Sequence, residues 1–197
     1  MKATTSRVLL VAVAAGGLGL LASLWFNGNP FWRTQVGERA LHAATNATAP
    51  APPTGVTPAG IGDPMPAIAL PGLDGAVVDL RTRYVGKRLL INVWASWCGP
   101  CIEEMPELDR FAATQGEDGV QVIGLALDTP EGVRGFTAQG AVGHPIRVGR
   151  PGPAGTSVWL GNAKGVLPYT VLVDADGRIA RQKIGPFTHG EISGWVD

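Results

Sequence analysis

The sequence predicts an α/β fold, a three-layer α/β/α sandwich around a mixed sheet, and three observations carry that prediction. Two apolar runs, Arg88–Ala95 and Val120–Leu127, have the length and density of strands buried on both faces. Each is followed by a segment with helical spacing. A final pair of strand-like segments is joined by the turn Ala175-Asp176-Gly177. Alternation followed by a closing antiparallel pair is the pattern of helices packed on a mixed sheet.

In chain order, Ala67–Leu70 and Ala76–Leu80 flank Gly72-Leu73-Asp74-Gly75 and read as a short hairpin. Strand Arg88–Ala95 leads into a helix from Pro100 to about Gln115, with Ile102, Met105, Leu108, Phe111 and Ala112 on its apolar stripe. Pro106 removes one helical N–H, so a bend is expected there. Strand Val120–Leu127 is followed by a helix over Pro130–Gln139 and a short strand at Pro145–Val148. Residues 149–165, rich in Gly and Pro, form an insert whose Trp159 and Leu160 fit either the core or a partner-facing surface. Tyr169–Asp174 and Arg178–Ile184 form the last hairpin, with Asp174 and Asp176 as turn residues rather than metal ligands. His189–Asp197 supplies a short final helix. No internal repeat is visible.

Composition excludes several classes. Of 197 residues, 45% are hydrophobic and 16% charged, and the formal net charge is zero. A disordered chain would be poorer in apolar residues, and a nucleic-acid binder would carry a basic excess. The zero divides unevenly: +2 over residues 1–27, +1 over 28–59 and −3 over 60–197. The mildly acidic C-terminal part argues further against nucleic acid. Two cysteines can neither staple a small secreted fold nor supply a four-thiolate metal site.

The division of charge follows a division into three parts: 1–27, 28–59 and 60–197. Val8–Phe26 carries no charge and follows Lys2 and Arg7. At ~1.5 Å per residue a helix of this length nearly spans a ~30 Å hydrocarbon core. A cleaved signal peptide would have a shorter apolar run and a nearby small-x-small site; the match at Ala47-Thr48-Ala49 lies far downstream. The segment therefore reads as an uncleaved single-pass anchor, with no cysteine beside it for lipid attachment. Trp25, Phe26, Phe31 and Trp32 suit an aromatic belt at its exit. Basic counts are equal on the two sides, so the short N-terminal tail sets the orientation: N-terminus in the cytoplasm, bulk of the chain outside. Residues 42–59 lack charge and aromatic side chains and read as an extended, semi-rigid tether. Asn46-Ala47-Thr48 fits a glycosylation acceptor but matters only in a eukaryotic secretory route.

The chemistry concentrates in Trp97-Cys98-Gly99-Pro100-Cys101, where a buried strand ends and a helix opens. A thiol at a helix N-terminus meets unpaired backbone N–H groups and the positive end of the dipole, which favour the thiolate. Cys98 is thus the expected exposed nucleophile. Cys101, three residues on, falls on the same helical face within disulfide reach and reads as the more buried resolving thiol. A structural disulfide would close a longer loop. A metal site would need more ligands, and the histidines, His42, His144 and His189, are scattered. Redox catalysis is the reading that remains, with no cofactor and no metal.

WCGPC at a strand–helix junction, with Leu167-Pro168-Tyr169-Thr170 later leading into a strand, resembles the thioredoxin superfamily. Cys98–Pro106, CGPCIEEMP, resembles its membrane-tethered TlpA/ResA-like branch of bacterial thiol-disulfide oxidoreductases. The likeness covers about residues 60–190 of the sequence. It implies a monomer in the periplasm, anchored in the bacterial inner membrane, that reduces protein disulfides, often in cytochrome c maturation. A membrane electron donor of the thiol-transporting type would recharge it. Carried over by residue, Pro168 matches the family's cis-proline, Leu167 would shape the substrate contact beside Trp97, Gly99 and Pro100, and Pro106 matches a helix kink. Val166 stands where glycine is frequent, which would crowd the substrate groove.

Asn92 occupies the position of thioredoxin's buried Asp and cannot titrate. Glu104 matches the acidic residue of the motif CxxCxxE, and helical spacing puts it on the Cys101 face. It is expected to exchange a proton with Cys101, its pKa raised by partial burial. Glu103 and Glu107 read as exposed glutamates near the helix start. Direction of electron flow stays open between reductase and oxidase or isomerase, although Gly-Pro between the cysteines favours a reductant. A non-enzymatic Cu(I)-binding chaperone using the two thiols is the alternative from another class.

Overall fold

The computed structural model describes residues 34–138, 140 and 142–197, together with 16, 17 and 19. Apart from those three glycines, the span read at 8–26 lies outside the described residues, as do Phe31 and Trp32. Among the described residues no helix is long and apolar enough to cross a membrane. The chain divides into a unit Met1–Leu41 and a unit His42–Asp197, and the second contains the sheet. Helix α1 (Gln35–Ala47) begins in the first and ends in the second.

The elements that follow are β1 (Ala69–Pro71), β2 (Val77–Asp79), α2 (Leu80–Arg83), β3 (Leu89–Trp94), α3 (Gly99–Thr114), β4 (Gln121–Ala126), α4 (Pro130–Thr137), β5 (Ile146–Val148), α5 (Thr156–Trp159), β6 (Tyr169–Val173), β7 (Ile179–Ile184) and α6 (Glu191–Val196). β1 and β2 form an antiparallel hairpin, Leu70 opposite Val78. The main sheet has the order β5-β4-β3-β6-β7. β3, β4 and β5 run parallel, and β6 and β7 are antiparallel to their neighbours. Side chains alternate along β3. Leu90 and Trp94 face one core; Leu89, Ile91 and Val93 face the other.

The two crossovers, β3–α3–β4 and β4–α4–β5, step in the same direction along the sheet. Crossovers of one hand then place both helices on one face. Met105 and Leu108 of α3, Val133 of α4 and Ile192 of α6 accordingly share the core of Leu90 and Trp94. The opposite layer differs from the helical layer expected. It is built from Ala59, Met65, Ile68, Leu70, Leu80 and Leu160, contributed by irregular chain, the hairpin and two one-turn helices. Backbone bonds tie this covering to β7: Gly62 N–H to the Ile179 carbonyl at 2.7 Å and Ile179 N–H to the Asp63 carbonyl at 2.9 Å.

Two stretches that looked irregular are built into the domain. In the insert, α5 buries Val158, and Leu160 is fully buried in the core. Gly161 follows with φ +99°, and a Cβ there would lie 2.3 Å from Gln182 Nε2 and 2.4 Å from the Ala59 carbonyl oxygen. The tether reading also needs correction. Residues 42–47 are helical, and His42 stacks on Tyr169 with ring centroids 5.8 Å apart. Tyr169 donates to the Leu160 carbonyl at 3.0 Å. His42 Nε2, 3.3 Å from the same hydroxyl, must therefore be the donor to it, leaving Nδ1 to accept from Asn46. Ala59 closes the stretch, its N–H on the Trp159 carbonyl.

Candidate functional site

β3 ends at Trp94, and the chain turns through Ala95-Ser96-Trp97 to Cys98, the N-cap of α3. Asp128, at the end of β4, secures that turn. Its Oδ2 accepts from Ser96 N–H at 3.2 Å and from the Ser96 hydroxyl. Burial opposes ionisation of Asp128, but these bonds and one from Thr129 N–H hold its carboxyl below the ordinary range. Sequence reasoning missed this pair, because nothing local links positions 96 and 128.

Cys98 and Cys101 are joined by a disulfide, their Cα atoms 5.3 Å apart. Cys101 is fully buried; Cys98, expected to be exposed, is only 6% exposed in this oxidised state. The order of burial is as read, Cys98 keeping a small exposed surface and Cys101 none. Trp97 is 71% exposed, and Gly99 and Pro100 are exposed beside it. No side chain caps the first turn of α3. Its N–H groups and dipole therefore remain to favour negative charge at Cys98 once the disulfide is reduced. α3 continues on both sides of Pro106, which removes the N–H that would otherwise bond to the Ile102 carbonyl.

The Leu167–Pro168 peptide is cis. Tyr169 pairs with Val93, so Pro168 lies beside the end of β3 from which the cysteine turn departs. Its carbonyl accepts from Gly185 N–H at 3.0 Å. Val166 does not line the groove it was expected to crowd. Instead the Asn162 side chain brackets it: Nδ2 donates to the Val166 carbonyl and Oδ1 accepts from its N–H, both at 2.9 Å. Asn162 thus imitates a strand partner for the residue two before the cis-proline. Trp97 and Leu167 together line a cavity of about 350 Å³, with Leu127, Val158, Pro151 and Lys164. The cavity is largely apolar with one cation, Lys164, at its wall, and Trp97 places it next to the residue that precedes Cys98.

Behind Cys101, Glu104 is 2% exposed. Its Oε1 accepts from Asn92 Nδ2 at 2.8 Å and its Oε2 from Phe187 N–H at 2.8 Å. Burial is the dominant influence and pushes this carboxyl up to about 7, against the Phe187 and Asn92 hydrogen bonds and the charge of Lys183. Glu103 is exposed as expected. Glu107 is not: it is 9% exposed, accepting from Gly190 N–H at 2.7 Å and from Arg110. α6 and the loop before it bury that turn of α3, which helical spacing alone does not reveal. Among the described residues no group of three or more His, Cys, Asp or Glu is placed to hold a metal ion.

A dithiol that closes at a helix N-terminus can pass two electrons to another disulfide by thiol exchange. Fold and site together define a thioredoxin-like thiol-disulfide oxidoreductase. The known proteins to which the chain is similar agree. Residues 61–195 match the Redoxin family, and the chain belongs to it, as a TlpA/ResA-like member of the thioredoxin superfamily. It is 30% identical over 137 residues to thiol-disulfide oxidoreductase ResA of Bacillus cereus, covering 69% of this chain and 76% of that one. It is 36% identical over 121 residues to thiol:disulfide interchange protein HelX of Rhodobacter capsulatus, covering 60% and 62%. A solved thioredoxin-related protein from Neisseria meningitidis serogroup B superposes with a TM-score of 0.56 at 29% identity, covering 64% of this chain and 95% of its own.

Proposed function

We propose that this protein is a membrane-anchored, extracytoplasmic reductant of protein disulfides, recharged by a membrane thiol carrier and serving cytochrome c maturation. The observation that carries the reading is the Cys98–Cys101 disulfide at the start of α3, next in sequence to Trp97, which lines the cavity it shares with Leu167. The Gly-Pro dipeptide between the cysteines supports the reducing direction, since thioredoxin's potential lies near about −270 mV. The uncharged run at 8–26, preceded by Lys2 and Arg7, supports the anchor, and the names of ResA and HelX support the exchange chemistry.

In the reducing direction, the Cys98 thiolate attacks a substrate disulfide, forming a mixed disulfide and releasing one substrate thiolate. Glu104 takes the proton of the Cys101 thiol, and the Cys101 thiolate attacks Cys98 Sγ. The second substrate thiolate leaves, and two electrons have passed from the dithiol to the substrate. Cys101→Ser, expressed in the full chain, is expected to retain its substrate as a Cys98 mixed disulfide identifiable by mass spectrometry. Recovery of no trapped protein would count against a protein substrate. The potential of the purified protein separates the directions: a value near about −120 mV, that of a strong oxidant, overturns the reductase reading. Stoichiometric Cu(I) binding without reduction of insulin would favour the chaperone alternative. Labelling of the reduced thiols by a membrane-impermeant maleimide in intact spheroplasts tests the extracytoplasmic placement.

A further inference from the structure

Asn92 sits in the buried centre of this site with an unbalanced set of hydrogen bonds. The residue is fully buried on β3. Both hydrogens of its Nδ2 are used, one on Glu104 Oε1 at 2.8 Å and one on Thr170 Oγ1 at 3.1 Å. Its Oδ1, equally buried, has no hydrogen-bond partner among the described residues. A buried orphan acceptor is costly. The opposite orientation of the amide requires no extra space, because nitrogen and oxygen are nearly the same size and the terminal torsion is two-fold.

The two orientations suit two protonation states of Glu104. With Nδ2 toward it, Asn92 supports a carboxylate. Turned by half a rotation, Oδ1 accepts at the same place from a protonated carboxyl and also from the Thr170 hydroxyl. The orientation described leaves Oδ1 orphaned, so it is not favoured outright and the proton on Glu104 decides. The geometry points to Asn92 as a positioning residue that turns over as Glu104 gains or loses its proton, with Thr170 changing from acceptor to donor. The inference rests on the acid–base role proposed above for Glu104. In the transfer, Cys101–SH gives its proton to the Glu104 carboxylate, leaving a thiolate and a carboxylic acid. No electrons move until that thiolate attacks Cys98. An aspartate at position 92 would set a second titrating carboxyl against Glu104, and the two would compete for one proton. Asparagine follows the proton without holding it.

The other charged groups facing Glu104 are Lys183 from β7 and Glu191 from α6, which pair with each other at 2.8 Å. Cys101 lies one turn earlier on its own helix.

The test uses the full chain in detergent micelles, labelled at asparagine, threonine and glutamate side chains, followed by NMR across the titration of the Glu104 carboxyl carbon. Contacts from the Asn92 NH₂ protons to the Glu104 and Thr170 side chains are expected above the Glu104 midpoint and lost below it. The Thr170 hydroxyl proton is expected to become protected from exchange below the same midpoint. In Glu104→Gln the Asn92 signals should hold one orientation at every pH. Unchanged Asn92 contacts through the midpoint, or a turnover that persists in Glu104→Gln, overturn the inference. The underlying role fails separately: with a cystine-containing peptide as probe, it fails if Glu104→Gln leaves the pH profile of mixed-disulfide resolution where it was.

Discussion

Two neighbouring turns of α3 each bury a glutamate, and they treat it in opposite ways. Glu104 lies among neutral donors, the Asn92 amide and the Phe187 N–H, and burial drives its carboxyl up to about 7. Glu107, three residues on, receives Arg110 and the Gly190 N–H, and the Arg110 hydrogen bond holds its carboxyl below the ordinary range. Glu104 is sealed more deeply, while the Glu107 side chain keeps 11% of its surface exposed, and the partners differ in what they carry. A neutral donor satisfies an oxygen without supplying charge; a guanidinium does both. One helix thereby holds a carboxyl of raised pKa against Asn92 and Phe187 and a fixed anion toward α6.

The contrast can be broken most forcefully at Glu104. The folded state keeps its proton between the ordinary 4.5 and about 7, where the unfolded chain has lost it. The unfolded chain then binds fewer protons, so stability falls as pH rises through that window, by on the order of 3 kcal/mol in total. Denaturant unfolding of the oxidised protein at pH 5 and pH 8 should show this slope, and Glu104→Gln should flatten it. Glu107→Gln is the smaller perturbation. A depressed carboxyl stabilises above its unfolded pKa and loses that contribution as pH falls through its folded one. The variant should therefore lose about 1 kcal/mol or less at neutral pH and nothing in acid, read by the same unfolding curves. Arg110→Ala should cost least, a few tenths of a kcal/mol, because the Arg110 side chain is 56% exposed. Its sharper signature is an upward move of the Glu107 midpoint with Glu104 unmoved, measured by carboxyl NMR.

Much of this was legible in the sequence. The run from Arg88 to Ala95 anticipates β3, Leu89–Trp94, and helical spacing from Pro100 anticipates α3 to within a residue at each end. WCGPC and Leu167-Pro168 mark the disulfide and the cis peptide. These signals are local. Two anchors of the site are not: Ser96 on Asp128 and Asn92 on Glu104 join residues that tertiary packing alone brings together. Asn162 lies only four residues from Val166, but Gly-Asn-Ala-Lys-Gly reads as an ordinary loop. Glu107 was misread for the same reason, since its cover comes from Gly190 and α6. His42 shows the converse error: an Ala/Thr/Pro-rich stretch with nothing apolar to bury can still dock through one aromatic ring.

That docking sets a length. The eighteen residues from His42 to Ala59 would span about 60 Å if fully extended, and as a loose leash they would let the dithiol range over that distance. Fastened to Tyr169 at one end and to Trp159 at the other, they contribute none of it. On the membrane-anchored reading proposed above, the radius over which the domain can search for partners is therefore decided by the chain upstream of His42 alone.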